Sequence, residues 1–286
     1  MKFCGREFSE FEILFIRNLI NNTPNITRTA ISRIFCKEFF WFKQDGLLKE
    51  MSCRVALLKM EKAGLIKLPE ATGTNGNGKI NIKPTCKTDS FDFPYSNVTD
   101  ISMLKLKIVA GRIESRLWNE YVNRYHYLGY KTLPGAQLRY FIEADEKMIV
   151  GLLGFGAAAW KIAPRDNLIG WNDIKRMQNL HLIVNNSRFL IFPWINCKNL
   201  ASKILSMVTK RLANDWAKRY AYRPLLLETF VEKEKFNGIS YKAANWKLIG
   251  QTQGRGKLDK KREFSVPVKD IYIYPLSKKY QQLLNL

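Results

Sequence analysis

Histidine is nearly missing from this chain: His126 and His181 are the only two among 286 residues. The five cysteines, Cys4, Cys36, Cys53, Cys86 and Cys197, are scattered without any C-x-x-C pair. With so few histidines to complete a tetrahedral set, a structural zinc site is not expected. An odd, unpatterned set also argues against a disulfide framework and suits a reducing cytoplasm, with Cys36 and Cys53 in apolar helical phase as small core residues. No apolar run reaches the ~18 residues that a membrane span requires, and no signal-peptide pattern opens the chain. Repeats and low-complexity tracts are absent too. The expected location is therefore cytoplasmic, with no membrane partner.

Acidic residues are scarce beside the basic ones. The 25 Asp and Glu face 47 Lys and Arg, which leaves a net charge of +22. An excess of that size favours a polyanion, because every phosphate neutralised by a side chain releases counterions and the field steers encounter. Disorder is not the explanation: 46% of the residues are apolar, enough to build a core. DNA is the expected partner.

The first 86 residues read as three helices and a hairpin. Ser9 and Glu12 form a capping box, followed at helical spacing by Phe11, Leu14, Phe15, Asn18 and Leu19. A second helix covers about 29–40. A third runs from about 48 to 63 with Met51, Val55, Leu58 and Lys62 on one stripe, and stops at Gly64. "GLIKLP" then reads as a strand, a polar turn follows, and "KINIK" returns. That is the order of a winged helix. Its third helix would offer Lys49, Arg54 and Lys59 to the major groove, with Lys79 and Lys83 on the wing. Residues 87–100 break the periodicity with two prolines nearby and read as a linker.

Residues 101–286 mix strands and helices, so the fold class expected is α+β or α/β with a mixed sheet. A helix covers about 114–125, and "QLRYFIEADEKMIVGLLGFGAA" is a hairpin turning at Asp145 and Glu146. "LHLIVNNSRFLIF" is extended. A long amphipathic helix spans about 199–219, its inner stripe Leu200, Ile204, Leu205, Val208, Leu212 and Trp216, its outer face Lys203, Lys210, Arg211, Lys218 and Arg219. The strand "PLLLETFV", a short helix near 239–248 and the strand "VPVKDIYIYPL" follow.

Hairpin, strand, long helix, strand, short helix is an order that resembles the core of the GNAT acetyltransferase fold. The resemblance implies a cofactor pyrophosphate at the start of the long helix and a tyrosine acid on the following helix, the position of Tyr241 in "YKAANW". The junction "PWINCKNLAS" contains no glycine, however, where that family places a glycine-rich loop. A glycine-poor junction of this kind is similar to the Mom-like branch of phage DNA-modification proteins. Longer strings, "LWNEYVNRYHYLGY", "LLGFGAAAWKIAPRDNLIGWND" and "RPLLLETFVEKEKFNGISYKAANWKLIGQTQGRG", resemble the Druantia anti-phage protein DruA family, some of whose members are transposase-associated. That resemblance implies dealings with DNA and with other proteins of a defence system; it brings no settled reaction and names no cofactor.

Several residues are candidates for chemistry. Glu228 lies in a buried strand and shares a face with Phe230 and Glu232, where sheets of this class place catalytic carboxylates. Glu232, in the run "EKEK", reads as a solvated strand end. His126 stands where a helix gives out, as a base or as a hydrogen-bonded core histidine. Tyr241 is an acid or a satisfied core tyrosine. Asp166, Asp173 and Arg188 are further candidates. For DNA, Arg255 between two glycines, then Lys257, Lys260, Lys261 and Arg262, make a phosphate-tracking loop, joined by Lys203, Lys210 and Arg211 of the long helix, with Trp246 as a stacking ring. Three readings stay open: a DNA-binding protein of phage defence or mobile elements, a Mom-like DNA-modifying transferase, and a nuclease or transposase component holding Mg²⁺ on Glu228 and an aspartate such as Asp173.

Overall fold

The computed structural model describes residues 1–71, 82–254 and 266–286. They belong to two compact units, Met1–Ile80 and Asn81–Leu286.

In the first unit, strands β1 (Lys2–Phe3) and β2 (Arg6–Glu7) form a small ribbon before three helices, α1 (Glu10–Asn22), α2 (Arg28–Glu38) and α3 (Glu50–Lys62). The capping box is formed: Ser9 Oγ accepts from the Glu12 N–H at 3.2 Å, and the Ser9 N–H donates to Glu12 Oε2 at 2.8 Å. Gly64 takes φ +72° just past α3, the left-handed turn that only glycine adopts freely. The amphipathic phase of α3 differs from expectation. Its buried face is Cys53, Ala56, Leu57 and Met60, while Met51, Val55 and Leu58 face solvent. Helix α3 is apolar on two sides, and α2 takes the side with small residues, where Cys36 and Cys53 are fully buried in one cluster. The same inversion holds in α1, where Ile13 and Ile16 are buried and Phe11 and Leu14 exposed. "GLIKLP" is not a strand either. Ile66 and Leu68 are buried, and the backbone is held by side chains: Arg17 donates to the Leu65 carbonyl at 2.7 Å, and Glu61 accepts from the Leu68 N–H at 2.9 Å. The tip of the expected wing lies outside the described residues.

The second unit contains β3 (Lys105–Ile108), α4 (Gly111–Tyr125), β4 (Gln137–Ala144), β5 (Met148–Ala157), α5 (Ala163–Ile169), α6 (Asp173–Asn179) and β6 (Ile183–Ile191). There follow α7 (Leu200–Tyr220), β7 (Leu226–Glu232), α8 (Ile239–Ala243), β8 (Lys247–Gln251), β9 (Lys269–Pro275) and α9 (Tyr280–Leu284). The strands form one sheet in the order β3-β4-β5-β6-β7-β9-β8, so the α+β expectation with a mixed sheet holds. Neighbours are antiparallel except β6 and β7, which run parallel because α7 carries the chain back between them. All six residues expected on the inner stripe of α7 are buried.

The parallel pairing is short. It runs from Ile183↔Leu226 to Asn186↔Thr229 and stops, although β6 continues to Ile191 and β7 to Glu232. A bulge at Ser187, between the pairs Phe155↔Asn186 and Gly154↔Arg188, marks the point of divergence. Each strand keeps its other neighbour beyond that point, so the sheet opens into a cleft.

Residues 84–100 are a strap bound to this unit rather than a free linker. Glu120 on α4 accepts from the Thr85 N–H at 2.5 Å, Thr85 Oγ1 at 2.9 Å and Thr88 Oγ1 at 2.8 Å. The Tyr121 and Tyr125 hydroxyls donate to strap carbonyls, and Phe91 packs edge-on against Trp194. Prolines ended the periodicity, but the aromatic residues between them found a core. Replacement Glu120→Ala leaves the Thr85 N–H and hydroxyl without an acceptor, while Thr88 Oγ1 keeps the Thr85 carbonyl at 3.2 Å, a loss of about 2 kcal/mol. Limited proteolysis read by mass spectrometry should then show faster cutting within 84–100 than in the parent, while 111–254 stays protected.

Candidate functional site

The opening between β6 and β7 holds a cleft of about 760 Å³. Helix α4 ends at its edge, where His126 and Tyr127 leave the last turn; the β6 bulge brings in Arg188; the β7 end brings in Glu232; the segment before α8 brings in Phe236 and Gly238; and α8 brings in Tyr241. Gly238 is required there. It takes φ +64°, and a Cβ would stand 2.3 Å from the Tyr272 hydroxyl.

Tyr241, expected as an acid, is on the cleft wall with its hydroxyl already bonded. It donates to Asn186 Oδ1 at 2.7 Å, and Thr229 Oγ1 lies 3.4 Å away, itself donating to the Asn186 carbonyl. Burial drives the Tyr241 pKa well above the ordinary tyrosine range, so the hydroxyl keeps its proton. The triad pins α8 to the last rung of the parallel pair. His126 is buried, and burial first, then the charge of Arg188, lower its pKa to about 4. Its Nδ1 accepts from the Leu128 N–H at 3.2 Å, which leaves Nε2 to carry the proton of the neutral ring. Arg188 is 8% exposed and lines the cleft, with one N–H on the Ser187 carbonyl at 2.7 Å. Among the described residues it has no ion-pair partner, and burial lowers its pKa. Glu232, expected in solvent, is buried on the wall and paired with Lys235 at 2.8 Å.

Glu228 is elsewhere. It does not line the cleft, and it is 0% exposed. Its Oε2 accepts from Arg165 Nη1 at 2.8 Å and its Oε1 from the Ala159 N–H at 2.8 Å. Arg165, equally buried, also holds Asp166 Oδ1 through Nε and Nη2, and Trp171 Nε1 donates to that same oxygen. Burial raises the Glu228 pKa, while Arg165 opposes it. A saturated carboxylate of this kind ties the 158–171 segment onto the sheet; it is not free for substrate. Asp173 is exposed and bound to Arg176 at 2.7 Å. Among the described residues no group of three His, Cys, Asp or Glu is placed to hold a metal, and a guanidinium stands between the two buried carboxylates.

The residues expected on DNA also divide. Lys203 and Lys210 are exposed on α7. Arg211 is not on that face: it donates to Asp215 at 2.6 Å and to the Leu106 carbonyl at 2.7 Å. Trp246 is buried against Tyr241 and Tyr274, closed to a stacking base. On α3, Lys59 is exposed, Lys49 half-buried at the N-cap, and Arg54 half-buried with a hydrogen bond to the Met51 sulfur. Arg255, Lys257, Lys260, Lys261 and Arg262 lie outside the described residues. Nor does α7 line the cleft; its start is bridged by the strap, the Lys198 N–H donating to the Ser96 carbonyl at 2.8 Å. Sequence reasoning missed Arg165, although "PRD" beside a buried-strand glutamate was its signal, and it missed Tyr127 and Lys235.

Two outcomes follow from this chemistry. Arg165→Met leaves Glu228 buried without its partner and should cost roughly 3–5 kcal/mol in urea unfolding, with Glu228→Gln costing less. For His126, the folded pKa is depressed, so between pH 6.5 and about 4 the unfolded chain binds the extra proton. Stability contributed by the neutral ring is complete above that window and lost as pH falls through it. Urea midpoints measured from pH 7 to 4.5 should fall less steeply for His126→Gln than for the parent.

Among curated proteins, none matches the chain. Solved structures that do resemble it include spermidine N-acetyltransferase from Vibrio cholerae in complex with CoA and spermine, 13% identical with a TM-score of 0.41, over 63% of this chain and 98% of that one. Another is the Vibrio cholerae spermidine/spermine N-acetyltransferase SpeG in complex with manganese ions, 14% identical, TM-score 0.39, over 64% of this chain and 97% of that one. Nourseothricin acetyltransferase is similar at 11% identity and TM-score 0.32, over 51% and 71% of the two chains. No helix among the described residues is long and apolar enough to cross a membrane. The family model described as Druantia protein DruA matches residues 59–264, most of the chain, and the chain belongs to that family.

Proposed function

We infer that the chain is a DNA-binding protein of anti-phage defence, in which the first unit docks on duplex and the second engages single-stranded or distorted DNA. The observation that carries this reading is charge. The chain has a net +22, and on α7 Lys203 and Lys210 stand exposed. They are two helical turns apart on one face, about 10 Å, a spacing that can follow a phosphate backbone. Membership in the DruA family supports the defence setting, with other proteins of such a system as further partners and the cytoplasm as the location. By charge alone, Arg255, Lys257, Lys260, Lys261 and Arg262, and in the first unit Lys49, Arg54 and Lys59, are further candidates for phosphate contacts. The nuclease reading draws no support from Glu228, whose oxygens are committed to Arg165 and Ala159.

One observation favours a second reading, a DNA-modifying transferase: the protonated Tyr241 hydroxyl on the wall of a cleft. Its bond to Asn186 would have to be exchanged for one to substrate.

Fluorescence anisotropy with labelled single and double strands across a salt series tests the first reading. Affinity should fall steeply with salt, and Lys203→Ala with Lys210→Ala should flatten the log–log slope by roughly 1 to 2. Affinity indifferent to salt would remove the DNA reading. Mass spectrometry of the recovered strand, parent against Tyr241→Phe, decides the second.

A further inference from the structure

Arg188 is a cation without a counter-charge. It is buried at the wall of the cleft, and only its Nη1 finds a partner, the Ser187 carbonyl at 2.7 Å. The one carboxylate on the cleft lining, Glu232, is bound to Lys235 at 2.8 Å. A guanidinium left this way costs free energy that an arriving anion would recover, and its planar fork fits a phosphate.

The mouth of the same cleft carries aromatic and aliphatic side chains, with Lys235 Nζ 4.7 Å from the Tyr127 ring centroid. Tyr127 and Phe236 meet at 5.5 Å between ring centroids, and they are 42% and 47% exposed. Ile239, also on the lining, is 67% exposed. Large apolar side chains grouped at the rim of a polar-bottomed cleft mark a binding site. A bare anion has no use for the rings, and an apolar ligand has none for Arg188. A ligand with an anionic group joined to a flat unsaturated ring satisfies both. About 760 Å³ is room enough for such a molecule. The absence of α7 from the lining, and the strap across its start, also leave no diphosphate cradle continuous with the cleft.

We propose that the cleft between β6 and β7 receives a nucleotide of the bound strand, its phosphate on Arg188 and its base against the Phe236 and Tyr127 rings. This rests on the DNA reading and sharpens it: the lysines of α7 hold the backbone of a strand while one unstacked nucleotide enters the sheet. From a single strand the base enters at little cost. From a duplex it must be extruded, which selects mismatched or opened sites.

The test uses the full-length chain and a single strand substituted with iodouracil, which cross-links on irradiation to an aromatic ring stacked on it. Anisotropy reports total binding, and peptide mapping reports the site of attachment. The expected result is a cross-link on Tyr127 or Phe236 in the parent protein. Arg188→Ala should lower that cross-link about tenfold per strand bound, the loss of one charged hydrogen bond, and Arg188→Lys should restore part of it. Excess thymidine monophosphate should suppress it more than thymidine or inorganic phosphate does. Strand binding with cross-links only outside 125–128 and 235–241 overturns the cleft proposal and leaves the DNA reading standing. No strand binding at any salt overturns both. Because the map is made first on the parent, a variant that fails to fold does not decide the matter.

Discussion

A parallel pair of strands that separates after four rungs sets the terms for the second unit. The pairing of β6 with β7 ends at Asn186 and Thr229, and each strand then follows its antiparallel neighbour. Backbone donors and acceptors beyond that point can no longer satisfy one another, so side chains and loops must do it. Tyr241 comes in from α8 to bind Asn186, the Ser187 bulge turns Arg188 into the gap, and Gly238 lets the chain pass over the Tyr272 hydroxyl. The cleft is a consequence of that separation, and side chains from the end of α4, the β6 bulge, the β7 end and α8 line it.

Two buried charge systems serve different ends. Around Arg165, every carboxylate oxygen named is spoken for, and the network fastens a helical insertion to the sheet. Around Arg188, the guanidinium has one hydrogen-bond partner, the Ser187 carbonyl, and no ion pair among the described residues, so it stays available at the cleft wall. Burial alone would have ranked Glu228 above Arg188; the hydrogen-bond partners reverse that order.

Long, one-sided patterns were legible in the sequence. The stripe Leu200–Trp216 and the hairpin across Asp145 could be read because twenty or so residues repeat one period against one core. Helix α3 was not legible: it is apolar on two faces, and which face is buried depends on how α2 packs against it, a tertiary fact. The same holds for Glu228. Its place in the strand was readable, but its partner Arg165 is 63 residues away in the chain, and no local pattern announces the pair. Trp246 looks exposed by sequence neighbourhood and is buried against Tyr241 and Tyr274, while Arg211, half-exposed, is tied to Asp215 and the distant Leu106 carbonyl.

The strap also shapes the segment leading into α7. That segment exchanges backbone hydrogen bonds with Ser96 and Val98 of its own chain. Its neighbour is a covalently attached peptide of fixed shape. Trp194 and Ile195 can therefore fill space against aromatic residues, and Lys198 can give its N–H to a carbonyl that never dissociates.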